Sequence, residues 1–306
     1  MSRNYFNLSL FIIFARNLVG SCRLKGSVKE YLAGKIPSEH LSLIYRSYDL
    51  IGDIAVIRVP EEASRYKRLI AEAIMHVHKH VKSVWAQVSP VSGDFRLREL
   101  EWVAGEKRSE TVYKEYGCIF KVDLKRCYFS PRLSYERMRI AKLVQPKETV
   151  VNMFAGVGCY SIMIAKHSDV EKVFSMDINP YAVEYMKENI RLNKVEGKVI
   201  PILGDAKKVV EEKLQRIADR VLMPLPEKAY EFIEAAIQAL KPKGGWIHYY
   251  SFEHARKNED PIEKAKLKVM EKFEELGINF NVAFGRVVRG TGPNWYQIVL
   301  DIKVKL

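Results

Sequence analysis

The residues whose types and spacing could do chemistry are a glycine pair and an acid. The run Thr149-Val150-Val151-Asn152-Met153-Phe154 is apolar and β-branched, and breaks at Gly156 and Gly158. That is the pattern of a buried strand ending in a loop whose backbone can come close to a ligand. A second apolar run ends in Asp177-Ile178-Asn179-Pro180, where the next strand of a βαβ unit would offer a carboxylate to a pair of ribose hydroxyls. A third, Val199-Ile200-Pro201-Ile202-Leu203, leads to Gly204-Asp205-Ala206. The loop lacks the third glycine of a dinucleotide fingerprint and the Gly-Lys-Ser/Thr of a P-loop. An adenosine ligand without phosphates fits better, and S-adenosylmethionine is the common one.

Positioning these groups requires alternating strands and helices, and the chain supplies them. Helices are expected over 181–193, 206–217 and 227–240, with strands over 199–203, 219–223 and 246–250. Helix 261–276 and strands 279–288 and 295–304 close the chain, the last two joined by Gly290-Thr291-Gly292-Pro293 as a hairpin, so the final strand must run antiparallel to a neighbour. The expected fold is α/β, a class I, Rossmann-like methyltransferase sheet with a terminal antiparallel hairpin, preceded by a smaller α+β domain. In that smaller part, residues 47–59 predict a strand or hairpin stopped by Pro60, and 61–80 a helix opened by proline and acids. Residues 83–88 return as a strand. Alternation over 95–103 predicts another, with Arg96 and Arg98 turned to one face. Residues 111–122 read as two strands joined at Gly117, and Ser134 as the N-cap of a helix carrying Glu136 and Arg137.

The 306 residues exceed one typical domain. The expected division is a tail or remnant over 1–33, an α+β RNA-side domain over 34–121 and the cofactor domain over 122–306. Net charge is +13, more than a small-molecule enzyme needs. A polyanion, RNA or DNA before a membrane, is the expected partner; a heat-adapted surface rich in Lys and Glu is the alternative. Cys22, Cys118, Cys127 and Cys159 show no C-x-x-C pairing, so neither a disulfide framework nor a zinc site is indicated, and no metal is expected at His76-Val77-His78-Lys79-His80. The apolar stretch 6–19 is too short and polar to span a bilayer, and a cytoplasmic location is expected.

Six separated segments carry a resemblance. They are residues 95–106 (FRLRELEWVAGE), 128–137 (YFSPRLSYER), 152–158 (NMFAGVG), 177–180 (DINP), 219–226 (DRVLMPLP) and 247–250 (IHYY). In this order they resemble the archaeal and eukaryotic tRNA (guanine-N1)-methyltransferases that modify position 37, next to the anticodon. The similarity runs from about Ile36 to the C-terminus. It is nearest the archaeal subgroup that also methylates C7 of the wyosine precursor 4-demethylwyosine. The resemblance implies that Glu136 is the general base, that Arg96 stabilises charge on O6, and that Tyr128 lines the pocket for cofactor and target. It implies that Asp177 binds the ribose and that Asp205 lies by the adenine. Phe154, Gly156, Gly158 and Ile178 would complete the cofactor site together with Ala206, Met223 and Pro224. Arg96, Arg98, Arg132 and Arg137 are the expected RNA contacts, with tRNA the partner and a monomer the working unit. Chemistry supports the roles independently: N1 of guanine carries a proton and is a poor nucleophile, so a base and a partner for the charge on O6 are both needed.

The chain departs from the family pattern in three places. Pro224 stands where Asn is common, which removes a polar handle on the target base and leaves room for a tricyclic one. Asn152 replaces the acid that usually starts the glycine-loop strand, weakening a contact near the methionine amino group. Thirty-five residues precede Ile36, where relatives often carry a module that grips the outer corner of tRNA, so recognition is expected to depend less on overall tRNA shape. Besides a small-molecule methyltransferase, which the charge and the extra basic domain disfavour, two other readings remain open. A sister family transfers the aminocarboxypropyl arm of the same cofactor, and Met223-Pro224-Leu225-Pro226 speaks for methyl transfer instead. The other reading, a non-catalytic RNA-binding protein, is opposed by Glu136, Arg96 and Asp177 occurring together.

Overall fold

The structure is a computed structural model that describes residues 21–23, 26–45 and 47–306. The expectation for the stretch 6–19 lies outside the described residues. Two compact units are present, and the chain passes between them more than once. The first holds the described residues through Pro90, with Arg98–Thr111 and Ser130–Tyr135; the second holds Val91–Leu97, Val112–Phe129 and Glu136–Leu306.

The first unit is a five-stranded sheet with helices. Its elements are β1 (Ser21–Arg23), α1 (Gly26–Leu32), α2 (Ser38–Leu43), β2 (Ser47–Ile51), β3 (Ile54–Ile57), α3 (Lys67–Val77), β4 (Ser83–Gln87) and β5 (Leu100–Gly105). Strand order is β1-β2-β3-β4-β5, with only β3 and β4 parallel. α3 buries Ile70, Ala71, Ala73 and Ile74, the helical spacing of one apolar face, against Ala55, Ile57 and Val84. α1 adds Val28 and Leu32 to the same core, although it falls inside the stretch expected to be a tail. Two expectations change. The helix foreseen over 61–80 begins as a 3-10 turn, Glu61–Tyr66, before becoming α3. The strand foreseen over 95–103 starts only at Leu100, because residues 92–97 close on themselves through Ser92 and Leu97, each donating its N–H to the other's carbonyl. Arg96 therefore sits in a turn at φ +54° and shares no strand face with Arg98.

The second unit holds most of a two-stranded ribbon, β6 (Glu110–Glu115) and β7 (Cys118–Asp123), turned at Tyr116 and Gly117 with both residues at positive φ, as a type I′ hairpin requires. α4 (Ser134–Leu143) follows a 3-10 turn, Pro131–Leu133, without a break, so Ser134 is already helical and does not cap it. Alternation then builds β8 (Thr149–Asn152), α5 (Cys159–His167), β9 (Lys172–Asp177), α6 (Pro180–Asn193), β10 (Val199–Leu203), α7 (Ala206–Lys213) and β11 (Arg220–Met223). α8 (Ile233–Ala239), β12 (Gly245–His254), α9 (Pro261–Glu275), β13 (Asn279–Gly292) and β14 (Trp295–Lys305) complete it. The seven strands run in the order β10-β9-β8-β11-β12-β14-β13. All neighbours are parallel except β14, which runs antiparallel to β12 and β13. The sheet grows outward from β8, first through β9 to β10 and then on the other side through β11 to β12. The crevice outside the carboxyl ends of β8 and β11 is thus the switch point where open α/β sheets bind ligands. On α6, Asn189 and Asn193 bond the backbone of β7, each amide oxygen accepting from one N–H of Lys121 or Ile119 and each amide nitrogen donating to the same residue's carbonyl. No helix among the described residues is long and apolar enough to cross a membrane.

Candidate active site

A cleft of the second unit opens at that switch point. Its walls come from the ends of four strands: Met153, Phe154 and Gly156 after β8, Asp177 and Ile178 at β9, Gly204 to Ala206 at β10, and Pro224 and Leu225 after β11. The turn holding Arg96, together with Tyr128, completes it. Asp177 is fixed at both oxygens: Gly156 N–H donates to Oδ2 at 2.7 Å and Asn179 N–H to Oδ1 at 2.9 Å. Burial pushes its pKa above the ordinary 3.8, against the opposing pull of those N–H donors. Gly156 stands at φ +56° with no atom within 4 Å of where a Cβ would be, so the backbone itself faces the open cleft. Phe154 meets Phe232 edge to face at 4.9 Å, and both line the cleft as an apolar wall. Asp205 caps α7, its carboxylate accepting from Lys207 and Lys208 N–H.

This donor set fits an adenosine ligand without phosphates. A fixed carboxylate suits vicinal hydroxyls, aromatic and aliphatic walls suit a purine ring, and the carboxylates of Asp177 and Asp205 in one cleft repel a phosphate chain. The two cations present are already paired, Arg96 Nη2 with Glu227 Oε1 at 2.8 Å and Lys228 with Asp94 at 2.5 Å. Arg96 lies over the Tyr128 ring with its guanidinium carbon 4.5 Å from the centroid, and its Nε is buried without a partner. A non-glycine residue at positive φ costs about 1–3 kcal/mol, strain of the kind that clusters at functional sites.

The cleft thus gathers Arg96, Tyr128, Phe154, Gly156, Asp177, Ile178, Asp205, Ala206 and Pro224 from the expected site. Gly158 and Met223 do not line it. Gly158 sits against α6, where a Cβ would stand 2.9 Å from Met186 Cγ, and Met223 lies wholly inside the core. Glu136 is also off the cleft wall and 1% exposed. Its carboxylate accepts from Arg139, from Nη2 at 2.7 Å and Nε at 3.0 Å, and from the Tyr250 hydroxyl at 2.9 Å. Arg286 Nη1 stands 3.7 Å away. Arg139 in turn binds Asp301, which accepts from His248 Nδ1 at 2.5 Å, while His248 Nε2 accepts from Arg220 at 2.6 Å. That bonding pattern fixes a neutral imidazole, in keeping with the burial that lowers its pKa.

The expected RNA contacts divide. Arg137 is a correction: it is 3% exposed, with Nη1 donating to both oxygens of Glu115 at 2.8 and 3.0 Å. Its neighbour Glu136 also points inward, because α4 packs this face against the rest of the unit. Arg98 and Arg132 belong to the first unit, where Arg98 donates to Gln87 and Arg132 to Asp49. Sequence reasoning missed Phe232, which reads as helix core, and the Asp94–Lys228 pair, whose members are 134 residues apart.

The model of the TRM5/TYW2 methyltransferase domain matches residues 111–278, and that of the TYW2 N-terminal domain matches 28–108. The chain belongs to the TRM5/TYW2 family. Among its relatives, the tRNA (guanine(37)-N(1))-methyltransferase Trm5b of Pyrococcus abyssi is 43% identical over 269 residues, 88% of this chain and 78% of that protein. The tRNA 4-demethylwyosine(37)-methyltransferase Taw21 of Saccharolobus solfataricus is 41% identical over 85% of this chain and 94% of its own. An aminocarboxypropyltransferase acting on tRNA(Phe) 4-demethylwyosine, from Methanocaldococcus jannaschii, is 33% identical over 84% and 97%. The crystal structure of Pyrococcus abyssi Trm5b superposes with a TM-score of 0.80 at 41% identity, covering 93% of this chain and 82% of that one. The TRM5/TYW2 fold is therefore the α/β fold expected, with its mixed sheet and smaller N-terminal domain.

Proposed function

We propose that this TRM5/TYW2 protein is an S-adenosylmethionine-dependent tRNA methyltransferase acting on N1 of guanosine 37 and on C7 of 4-demethylwyosine. The observation that carries the reading is one cleft in which a ribose-type carboxylate, Asp177, shares walls with an arginine and a tyrosine suited to a purine, Arg96 and Tyr128. The bound cofactor supplies an electrophilic methyl group. Arg96 offers its unpaired Nε–H to charge building on O6, and Tyr128 gives the base a flat face. Glu136 takes the N1 proton. Its carboxylate is engaged by Arg139 and Tyr250, so the role requires the incoming purine to draw on an oxygen now shared with those donors, as catalytic bonds that tighten only with substrate do. One chain supplies every residue of the cleft, so the reading takes a monomer as the working unit, and a cytoplasmic location is part of the same proposal.

Two observations favour methyl transfer over aminocarboxypropyl transfer. Identity to the methyltransferases Trm5b and Taw21 is 43% and 41%, against 33% and 30% to two aminocarboxypropyltransferases. Pro224 lines the cleft and brings no side-chain hydrogen-bond donor, leaving apolar room for a tricyclic base. The test is incubation with labelled cofactor and two tRNAs, one with guanosine at 37 and one with 4-demethylwyosine, followed by mass analysis of the nucleosides. Addition of one methyl to each supports the reading; addition of an aminocarboxypropyl group, or no product, sinks it. A Pro224→Asn variant that kept full C7 methylation would remove the argument from Pro224.

A further inference from the structure

We infer that Glu227 is a positioning residue that sets the Arg96 guanidinium for the reaction. The inference rests on the function proposed above and adds to it a residue outside the cleft wall. Arg96 reaches the cleft from a turn, residues 92–97, that is closed by backbone bonds and tethered to the rest of the unit through two ion pairs. Asp94 pairs with Lys228, and Arg96 with the adjacent Glu227, so the turn is strapped to the loop that follows β11. Lys228 and Asp94 are exposed enough for their pair to be screened by solvent. The Arg96 side chain is 15% exposed and its partner is fixed in one direction: Glu227 Oε1 takes Nη2 while the Tyr128 ring covers the guanidinium face. With the plane held from one end and one face, the unpaired buried Nε–H is a donor still open to a substrate oxygen. Tyr128 is itself anchored, its hydroxyl accepting from Arg289 Nη2 at 3.2 Å, and Arg289 Nε donates to Gln297 at 2.8 Å. Removing Glu227 frees the one guanidinium end that neither ring nor backbone constrains.

The experiment is a double-mutant cycle on single-turnover methyl transfer to a tRNA transcript with guanosine at 37, using Glu227→Ala, Arg96→Ala and the pair. Glu227→Ala is expected to lower the rate about tenfold or more while the cofactor dissociation constant stays within about twofold, because Glu227 does not line the cleft and its ion pair goes to Arg96, on the target-base side. In the Arg96→Ala background the same change is expected to cost less than about twofold, since a residue acting through Arg96 has nothing left to position. Glu227→Gln keeps the acceptor without the charge and is expected to fall between; it also serves if the alanine variant unfolds. A wild-type rate for Glu227→Ala, or a full additional loss on top of Arg96→Ala, overturns the inference alone. Absence of transfer by the unaltered protein overturns the proposed function and the inference with it.

Discussion

Tyr250 donates its hydroxyl to Oε1 of Glu136 at 2.9 Å, and both side chains are buried. The bond joins β12 to α4 and fixes one oxygen of the proposed base. Tyr250→Phe is expected to reduce single-turnover methyl transfer by about tenfold or less, the order of one hydrogen bond worth about 1 kcal/mol. Glu136→Gln is expected to reduce it about 10²–10⁴-fold, the range of a lost general base. Equal effects of the two substitutions would mean that Glu136 acts only as a structural anchor.

Arg137 tests the correction to the expected RNA contacts. Arg137→Ala leaves Glu115 buried and uncompensated and is expected to cost about 3–5 kcal/mol of folding stability. Replacing both partners by apolar residues, Glu115→Leu with Arg137→Met, is expected to recover most of that loss. Denaturant unfolding measures both. A stable Arg137→Ala protein with weakened tRNA binding would restore Arg137 as an RNA ligand.

Asp177 should make cofactor binding sensitive to acid. Its pKa is raised by burial, so it takes up a proton at a pH above the ordinary 3.8, and the protonated form no longer accepts from two ribose hydroxyls. Affinity is therefore full above that raised value and declines as pH falls through it. Asp177→Asn is expected to weaken cofactor binding about 10–100-fold at pH 7, as for hydrogen bonds to a charged group worth about 1.5–3 kcal/mol, and to flatten the acid limb. Isothermal titration across pH checks both; an unchanged acid limb in the variant would assign it to another group.

The two loop glycines should fail in different ways. Gly158→Ala combines φ +92° with a Cβ 2.9 Å from Met186 Cγ, and is expected to lose about 1–3 kcal/mol of stability. Gly156→Ala meets no neighbour, so its folding cost is the left-handed backbone alone, about 1–2 kcal/mol. Its methyl faces the cleft, however, and the larger effect should appear in cofactor affinity. Calorimetric melting and cofactor titration separate the two outcomes.

The part of the cleft formed by strand ends was legible in the chain because it is local. Gly156, Asp177, Asp205 and Pro224 each end or follow an apolar strand, and a parallel sheet brings such ends to one edge whatever lies between them. The order of strands and helices, the terminal hairpin and the Gly117 turn follow from periods of 2 and 3.6 in hydrophobicity and from residues that permit positive φ. Arg96 misled the period argument: residues 95–103 alternate, yet 92–97 fold into a turn held by Ser92 and Leu97 and by pairs with Glu227 and Lys228. Nothing in the alternation encodes those distant partners.

The amino-acid order by itself determined the α/β class, the glycine loop after the first central strand and the family, because these depend on residue type and on neighbours within a turn or strand. The tertiary structure alone decided which charges face solvent and which face the interior. Arg137 pairs with Glu115 across 22 residues, Glu136 shares a network with Asp301 and His248, and Arg96 pairs with Glu227. A charged side chain's environment is set by groups that folding brings within a few ångströms, and their separation along the chain bears no relation to that distance.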